Sequence, residues 1–517
     1  MAWYDDAVFY HIYPLGLLGA PAQNDYGAPV HRLAQLAPWI GHIRSLGCTA
    51  LYIGPLFQSV GHGYETTDYR AVDSRLGDNA DLSRLVRQCH AAGLRVILDG
   101  VFNHTGRDFF AFRSLREQRE ASPYRDWYCG VDFGGNNSFG DGFSYENWGG
   151  YDLLAKLNLR CPAVREYLLD AVRFWVEEFG IDGLRLDAAD VLDFDFMRCL
   201  RAETARLKAD FWLMGEVIHG DYTRWVNGAT LHSVTNYALH KALYSAHNDH
   251  NYFEIAHTVR RQLESGLTGL YNFADNHDVE RISTRLREKT HYLPLHVLLW
   301  ALPGTPSIYY GSEFGVEGRK ERGSDASLRP CLDLAALSAG ENPCRELIAA
   351  LGRIRQGEPA LRHGEYRELQ LTTAQYAFAR GDVLVTVNNG GDEAWFDLPG
   401  EGVYTGALSG RRETARDGRL RFGLPGNGGE IWLPCREGRP AYAPLAHAAP
   451  PSAPAEPPFD PARAAVPKPY EEMSVPELQA EILAKLAANG PVTDRMRRDV
   501  AENVYRDSLL NWVRSFR

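Results

Sequence analysis

Acidic side chains end several apolar, strand-like runs of this chain. Asp187 closes GLRLD, Glu216 follows an apolar run in LMGEV, and Asp278 closes FADNHD. Three carboxylates brought together from separate strands suit the cleavage of an acetal bond between two sugars. One attacks or shields the cationic sugar, one delivers a proton, and one holds the ring in a reactive shape. The pattern therefore predicts a glycosidic-bond site with Asp187, Glu216 and Asp278 as its acids.

These acids need strands to position them, and the sequence offers eight. The strand candidates are Val8–Pro14, Ala50–Leu56, Arg95–Phe102, Gly183–Asp187, Phe211–Val217, Ser233–Tyr237, Gly269–Ala274 and Ser307–Tyr310. Several are nearly continuous apolar runs, which is typical of parallel strands that are covered on both faces. The stretches between them, such as Asp81–Ala92 and Pro162–Phe179, carry the apolar stripe of a helix, and Gly93 and Gly180 follow them.

Eight strands, each followed by a helix, predict an α/β fold of the (β/α)₈ TIM-barrel type. The acids then fall at the carboxyl ends of strands three, four, five and seven. Catalytic side chains of such barrels lie at that face, so their placement favours a functional role for these acids.

The remaining segments predict further domains around the barrel. Residues 1–104 and 159–357 form the predicted barrel, and 105–158, rich in Gly, Asn and aromatic residues, a lid subdomain inserted after strand three. Short alternating runs over 358–436 predict a C-terminal antiparallel β-sandwich. Residues 437–469 are dense in Pro and Ala and predict an extended linker. Residues 470–517 predict a helical tail, which begins with a capping box of Ser474 and Glu477.

Charge and cysteine usage narrow the function classes. A net charge of −11 argues against nucleic acid or an anionic membrane as partner, because both require a basic face. The N-terminal sequence MAWYDDAVFYHIYP has the pattern of neither a signal peptide nor a membrane span. The eight cysteines show no CxxC pair and no Cys/His metal-ligand spacing. We therefore expect a cytoplasmic protein with free thiols.

Four ordered segments, DGVFNH at 99–104, GLRLDAAD at 183–190, GEVIH at 215–219 and FADNHD at 273–278, carry a family resemblance. They resemble the signature regions of the α-amylase family of retaining glycoside hydrolases and transglycosylases (glycoside hydrolase family 13). The similarity covers roughly residues 3–436. It implies that Asp187 is the nucleophile of a β-glycosyl-enzyme intermediate, Glu216 the general acid/base, and Asp278 the stabiliser that binds ring hydroxyls.

The same resemblance implies a set of substrate-binding residues. Arg185 matches the arginine that keeps the nucleophile ionised, since a nearby opposite charge lowers a carboxyl pKa. The others are Tyr64 as an aromatic platform under the sugar, His104 and His277 as donors to its hydroxyls, Asp325 and Arg329 as a pair that grips the next sugar, and His219 on the leaving-group side.

Other polar and aromatic side chains are interpreted as structural. Asp99 is expected to position its neighbours. His42, His62, His232 and His247 are read as ordinary histidines. The aromatic residues of the lid are expected to form its own small core, and Trp148 is the one that we single out for a test.

Two departures from the family pattern refine the expectation. Ala189 and Asp190 stand where extracellular α-amylases usually carry Lys-His beside a calcium site. This argues against bound calcium, and no metal ligand or cofactor is predicted. The segment Leu154–Asn158, LAKLN, resembles the MPKLN of neopullulanase and cyclomaltodextrinase relatives more than the QPDLN of α-1,6-glucosidases.

The resemblance leaves several functions open. The leading hypothesis is an intracellular retaining hydrolase of α-1,4-glucosidic bonds in maltooligosaccharides or cyclodextrins. The same intermediate also serves a transglycosylase (a glucanotransferase, or an isomaltose- or trehalose-forming enzyme), and an α-1,6-glucosidase is a further alternative. A catalytically inactive binding or accessory protein is disfavoured because all three acids are present. The expected partner is an oligosaccharide, and a homo-oligomer formed through the C-terminal helices is left open.

Overall fold

A barrel of eight parallel strands forms the centre of the molecule. The computed structural model describes residues 2–445 and 475–488, together with Val500 and Leu509, and the chain divides into two compact units, 1–451 and 452–517. The barrel strands are β1 (Phe9–Ile12), β2 (Ala50–Ile53), β3 (Arg95–Gly100), β4 (Gly183–Leu186), β5 (Trp212–Gly215), β6 (Ser233–Val234), β7 (Tyr271–Phe273) and β8 (Thr305–Tyr309).

Consecutive strands pair in parallel except β6 and β7, and β1 also pairs with β8. A bridge between Thr235 and Tyr271 closes the remaining gap between β6 and β7. The predicted (β/α)₈ barrel is thus confirmed. Large side chains such as Phe9, Trp212 and Tyr271 fill its interior, so the barrel is a packed core whose chemistry must lie at one end.

Helices surround the barrel: α1 (Ala37–Ser45), α2 (Asn79–Ala91), α3 (Pro162–Phe174), α4 (Phe194–Leu207), α5 (Tyr237–Asn248), α6 (Phe253–Glu264), α7 (Tyr292–Ala301) and α8 (Pro343–Gly357). The prediction of a helix after every strand is wrong after β5. That connection holds only the 3₁₀ turn Tyr222–Arg224, where the Asp221 side chain accepts from the Thr223 amide. The chain from Glu216 to His232 therefore reaches β6 without forming an α-helix.

Local capping explains where two predicted elements have other boundaries. Helix α2 begins at Asn79, before the predicted start, because Asp78 and Asp81 form a capping box. Strand β6 is shorter than the predicted Ser233–Tyr237, because the Asn236 side chain accepts from the Leu239 amide and starts α5.

The segment inserted after β3 folds over the barrel mouth. A three-stranded sheet of His104–Thr105, Tyr151–Lys156 and Asn147–Trp148 lies beside the helix Phe110–Gln118. Phe112, Tyr128 and Phe143 are buried, and the rings of Tyr128 and Phe143 both pack against Phe112, whereas Trp148 is 39% exposed. The insert thus has a small aromatic core of its own, and the Trp148 side chain lies outside this core at the surface.

An antiparallel domain follows the barrel. Its strands are β9 (Tyr366–Leu371), β10 (Gln375–Arg380), β11 (Val383–Asn388), β12 (Ala394–Pro399), β13 (Val403–Gly406), β14 (Arg412–Thr414), β15 (Arg419–Leu424) and β16 (Gly429–Pro434). Six form one sheet, and β12 pairs with β15 in a second. Phe396, Phe422 and Trp432 form the core between the two sheets. The antiparallel character predicted for this region is confirmed.

The chain beyond the sandwich is described in part. Arg439 pairs with Glu358 at 2.8 Å and Tyr442 donates to the same carboxylate, so the stretch to residue 445 is tied to the end of α8. In the second unit, helix α9 (Val475–Ala488) buries Leu478 and Ile482. The predicted capping box at Ser474 and most of the second tail helix lie outside the described residues. Within the described chain, no helix is long and apolar enough to cross a bilayer.

Candidate active site

A cleft of about 1870 Å³ opens at the carboxyl ends of the barrel strands. Asp187 directly follows β4, Glu216 directly follows β5, and Asp278 lies in the connection after β7. All three side chains line the cleft. The sequence-predicted acids are therefore brought to a single cleft, as the barrel topology requires.

One guanidinium holds the acids of β3, β4 and β5 together. Arg185 Nη1 donates to Asp99 Oδ1 and to Asp187 Oδ1, each at 2.8 Å, and Nη2 lies 2.9 Å from Glu216 Oε2. The side chain of Arg185 is only 3% exposed and does not line the cleft. Arg185 is thus a positioning residue beneath the acids, which differs from the predicted contact with substrate.

Negative charge is in excess around Arg185, because three carboxylates share this one cation. Burial raises the pKa of Asp187 well above its ordinary value, and the Glu216 and Asp99 carboxylates add to that rise. Arg185 lowers the pKa of Asp187, the direction predicted from the sequence, but burial outweighs it. Three buried carboxylates around one guanidinium leave excess negative charge, so the cluster favours one proton shared among the acids.

The backbone next to Asp187 holds Glu216. The Ala188 amide donates to Glu216 Oε2 at 3.1 Å, and Tyr237 Oη lies 3.5 Å from Glu216 Oε1. Ala188 adopts the left-handed conformation (φ 45°, ψ 44°), which is rare for a residue with a Cβ. This conformation turns the amide toward the acid, so local strain coincides with a functional contact.

Asp278 is held as an anion by two neighbours. His277 Nε2 lies 2.9 Å from Asp278 Oδ2, and Arg329 Nη2 donates to Asp278 Oδ1 at 2.9 Å. Although burial acts to raise it, the pKa of Asp278 is lowered well below its usual range by His277 and Arg329. Arg329 also pairs with Asp325 at 3.1 Å, so the predicted Asp325–Arg329 pair forms and adjoins Asp278 at the cleft.

The structure places the two predicted histidines differently. His104 lines the cleft and its Nε2 is buried without a hydrogen-bond partner among the described residues, so it is available to a sugar hydroxyl. Burial lowers the pKa of His104 to about 3, which leaves the ring neutral at pH 5–8. His277 instead directs Nε2 at Tyr64 Oη (2.5 Å) and at Asp278, and its ring does not line the cleft.

Tyr64 and His219 line the cleft, as does Trp148 of the insert. Tyr64 is anchored below by Asp99 Oδ2 at 3.3 Å, so the Asp99 carboxylate positions both Tyr64 and Arg185. His219 is exposed. The interpretation of Asp99 as a positioning acid agrees with these contacts.

Sequence reasoning missed other side chains of the cleft. His62, interpreted as an ordinary histidine, lines it two residues before Tyr64, and Tyr237 lies beside Glu216. Val191 and Ile218 are exposed at the cleft wall (51% and 40%), which is unusual for apolar residues.

Removing the Arg185 charge should shift the pH profile of activity. In Arg185→Gln we expect kcat/KM at pH 7 to fall by about 10²-fold and its acidic limb to move to higher pH. The reason is that the guanidinium lowers the pKa of Asp187, so its loss leaves that carboxyl protonated over a wider range. Arg185→Lys keeps the charge, and should keep the acidic limb near its wild-type position. An unchanged limb in Arg185→Gln would contradict this electrostatic role.

The comparison with known sequences identifies the family. A profile described as the alpha-amylase catalytic domain matches residues 36–349, which hold all three acids. The chain belongs to the α-amylase family. It is a glycoside hydrolase of that family, as the signature segments led us to expect.

Individual relatives of this α-amylase-family hydrolase include cyclomaltodextrinases and a neopullulanase. A cyclomaltodextrinase from a Bacillus species is 31% identical, and the match covers 79% of this chain and 77% of the relative. Neopullulanase 2 of Thermoactinomyces vulgaris is 32% identical over 83% of this chain and 78% of its own. A solved structure of a cyclomaltodextrinase superposes with a TM-score of 0.75 at 28% identity, covering 83% of this chain and 78% of that one. The LAKLN resemblance pointed to the same relatives.

Proposed function

We propose that this hydrolase cleaves α-1,4-glucosidic bonds of maltooligosaccharides or cyclodextrins with retention of anomeric configuration. The observation that carries the proposal is that Asp187, Glu216 and Asp278 line one cleft, with the buried Arg185 joining the first two. The names of the relatives, cyclomaltodextrinase and neopullulanase, support this substrate class.

The proposed first step forms a bond between an Asp187 oxygen and the anomeric carbon while the bond from that carbon to the leaving oxygen breaks. Glu216 donates its proton to the leaving oxygen, so the departing sugar leaves as a neutral alcohol. Arg185 lies against both carboxylates throughout and balances the charge that Asp187 loses and Glu216 gains.

In the second step, Glu216 takes a proton from water as the water attacks the anomeric carbon and displaces Asp187. Two inversions give net retention. Asp278, held ionised by His277 and Arg329, binds hydroxyls of the sugar ring, and His104 Nε2 offers another hydrogen bond in the same cleft. No cofactor is part of this proposal.

Transfer to a sugar is a second candidate outcome of the same intermediate. The exposed apolar side chains Val191 and Ile218 at the cleft wall favour it, because an apolar surface binds the C–H face of an acceptor sugar better than it orders water.

Product analysis on maltotriose, pullulan and β-cyclodextrin tests the proposal and separates the two outcomes. Hydrolysis at α-1,4 bonds gives glucose and maltose from maltotriose, whereas transfer gives products longer than the substrate. NMR of the first products should show the α-anomer. Release of the β-anomer, or no turnover of any of the three substrates, would contradict the proposal.

We further propose a cytoplasmic location, with an oligosaccharide as the partner. All eight cysteines lie within residues 2–445 and all are free thiols, including the exposed Cys331 and Cys435, which fits a reducing compartment. Oligomer formation through the C-terminal helices stays a prediction. Light scattering of the full chain tests it, and a monomer mass would remove it.

A further inference from the structure

A second group of metal-ligating side chains lies where the barrel meets the sandwich. His250 follows α5, while Glu288 and His291 precede α7. Glu288 and His291 are three residues apart around a 3₁₀ turn, so both side chains point to one side. One donor atom from each of the three residues lies within 4.8 Å of the others. None of the three lines the catalytic cleft.

The hydrogen bonds of His250 fix its tautomer. Its Nδ1 lies 2.6 Å from the backbone oxygen of Asn389, in the connection after β11. A carbonyl oxygen only accepts, so Nδ1 carries the hydrogen and the neutral ring has its lone pair on Nε2. That Nε2 faces Glu288 Oε1 at 3.2 Å. Two acceptors face each other there, and only a cation or an extra proton between them makes this arrangement favourable.

His291 places a second imidazole nitrogen beside Glu288, and this side chain is buried. Its Nε2 lies 3.8 Å from Glu288 Oε2 and 3.2 Å from the Asn389 oxygen, and its side chain is 1% exposed. Its Nδ1 is buried without a hydrogen-bond partner among the described residues, as is Oδ1 of Asn427, a side chain that interacts with this ring. The Asn389 oxygen only accepts, so Nε2 carries the hydrogen while no ion is bound. An ion on Nε2 would replace that hydrogen, which would move to Nδ1 on the side of the ring that has no partner.

We propose that His250 Nε2, the Glu288 carboxylate and His291 Nε2 bind one divalent transition-metal ion of the zinc type. Two imidazoles and one carboxylate suit Zn²⁺, whereas Ca²⁺ takes oxygen ligands only. His250 already donates its other nitrogen to the Asn389 oxygen, as a zinc-bound histidine usually does. With the ion bound, His291 would offer its Nδ1 hydrogen to the unpartnered Asn427 Oδ1. The exposed fractions of His250 (42%) and Glu288 (49%) give the ion a path in and leave room for a water ligand.

Through its ligands and their neighbours, the ion would join four segments that are distant in the sequence. The connection after α5 and the turn before α7 belong to the barrel, and Asn389 and Asn427 bring in two connections of the sandwich. Asn389 Nδ2 also donates to the Ala246 oxygen in α5 at 3.1 Å. The site is therefore structural, and metal binding should stabilise the folded protein.

Another histidine–carboxylate cluster provides a matched control. His31, Asp78 and Asp81 also place their donor atoms within 4.8 Å. There, however, the carboxylates already cap α2: Asp78 accepts from the Asp81 amide and Asp81 from the Asp78 amide. Asp81 further pairs with Arg84 at 2.7 Å. These oxygens have partners, so His31→Gln should leave Zn²⁺ binding unchanged.

The test titrates the full-length protein with Zn²⁺ after treatment with a chelator, using calorimetry, and repeats the titration with Co²⁺ by visible absorption. We expect one ion per chain at the site, a tetrahedral Co²⁺ spectrum without thiolate charge-transfer bands, and a higher Tm with Zn²⁺ than after chelation. Glu288→Gln and His250→Gln should weaken binding by more than about 100-fold, and Asn427→Ala by about 10-fold. Glu216→Gln should bind as the wild type does, which excludes the catalytic acids as ligands.

Equal Zn²⁺ affinity in wild type, Glu288→Gln and His250→Gln would overturn the proposal, as would the absence of saturable binding below about 1 mM, an affinity of only about 4 kcal/mol. Thiolate bands in the Co²⁺ spectrum would also overturn it, because they would assign the ion to cysteine. Glu288 and His250 are both about half exposed, so their variants should remain folded, and the Tm after chelation checks this.

Discussion

Asp187→Asn should lower kcat on maltotriose by at least about 10⁴-fold while the protein remains folded. The amide keeps the shape of the carboxylate and can still accept from Arg185 Nη1, but it lacks the charged oxygen that bonds to the anomeric carbon. Tm should not fall, because one negative charge leaves a cluster in which three carboxylates share one guanidinium. Steady-state kinetics and thermal unfolding measure both effects.

Asp190→Asn is the matched control for Asp187→Asn. Asp190 also lines the cleft, three residues further along, but it is exposed at the surface. Its substitution should change kcat by no more than about 3-fold. Comparable losses in the two variants would mean that general charge in the cleft, and not attack by Asp187, drives the reaction.

Azide can separate a nucleophile from a merely electrostatic acid. In Asp187→Ala, azide that enters the vacated space attacks the anomeric carbon from the face that Asp187 would use. The product should therefore be a β-glycosyl azide, identified by NMR. An α-configured product, or no rescue together with residual hydrolysis of wild-type stereochemistry, would remove Asp187 from the nucleophile role.

Glu216→Gln should lower kcat/KM on maltotriose by about 10³–10⁴-fold, since the glutamine cannot protonate the leaving oxygen. An aryl α-maltoside with a 2,4-dinitrophenyl leaving group needs no proton, so its first step should slow by less than about 10-fold. The measurement is the burst of dinitrophenolate in stopped-flow absorption, followed by slow turnover. Loss of the general base explains the slow second step.

The same pair of substrates distinguishes the two acids. Asp187→Asn should be inactive on both, whereas Glu216→Gln should retain the burst on the activated one. An equal loss on both substrates in Glu216→Gln would assign Glu216 a role other than proton donor. The neighbouring amide of Ala188, which donates to Glu216 Oε2, makes a glutamine at position 216 an acceptable fit, because the carboxamide oxygen accepts the same bond.

Much of the fold follows from local pattern. Parallel strands buried on both faces are nearly all apolar, and a barrel repeats that pattern eight times, so its existence was predictable from periodicity. The exceptions were decided by single polar side chains. Asn236 ended β6 early by capping α5, and the connection after β5 formed a 3₁₀ turn and no helix. Such hydrogen bonds are short-range, but their effect depends on where the neighbouring strands end.

The sequence by itself determined which residues are the candidate acids. Asp187, Glu216 and Asp278 stand in ordered segments at strand ends, and parallel strands bring their carboxyl ends to one face of a barrel. The family resemblance supplied their roles. Neither the choice of these acids nor the assignment of their roles required a distance measured in the structure.

Only the tertiary structure decided what surrounds those acids. It showed one guanidinium shared by three carboxylates, His277 turned to Tyr64 and Asp278, and His62 in the cleft. It also joined His250 with Glu288 and His291, whose sequence spacing gave no metal motif. Burial and charge balance depend on which distant segments pack together, and this packing has no local signature in the sequence.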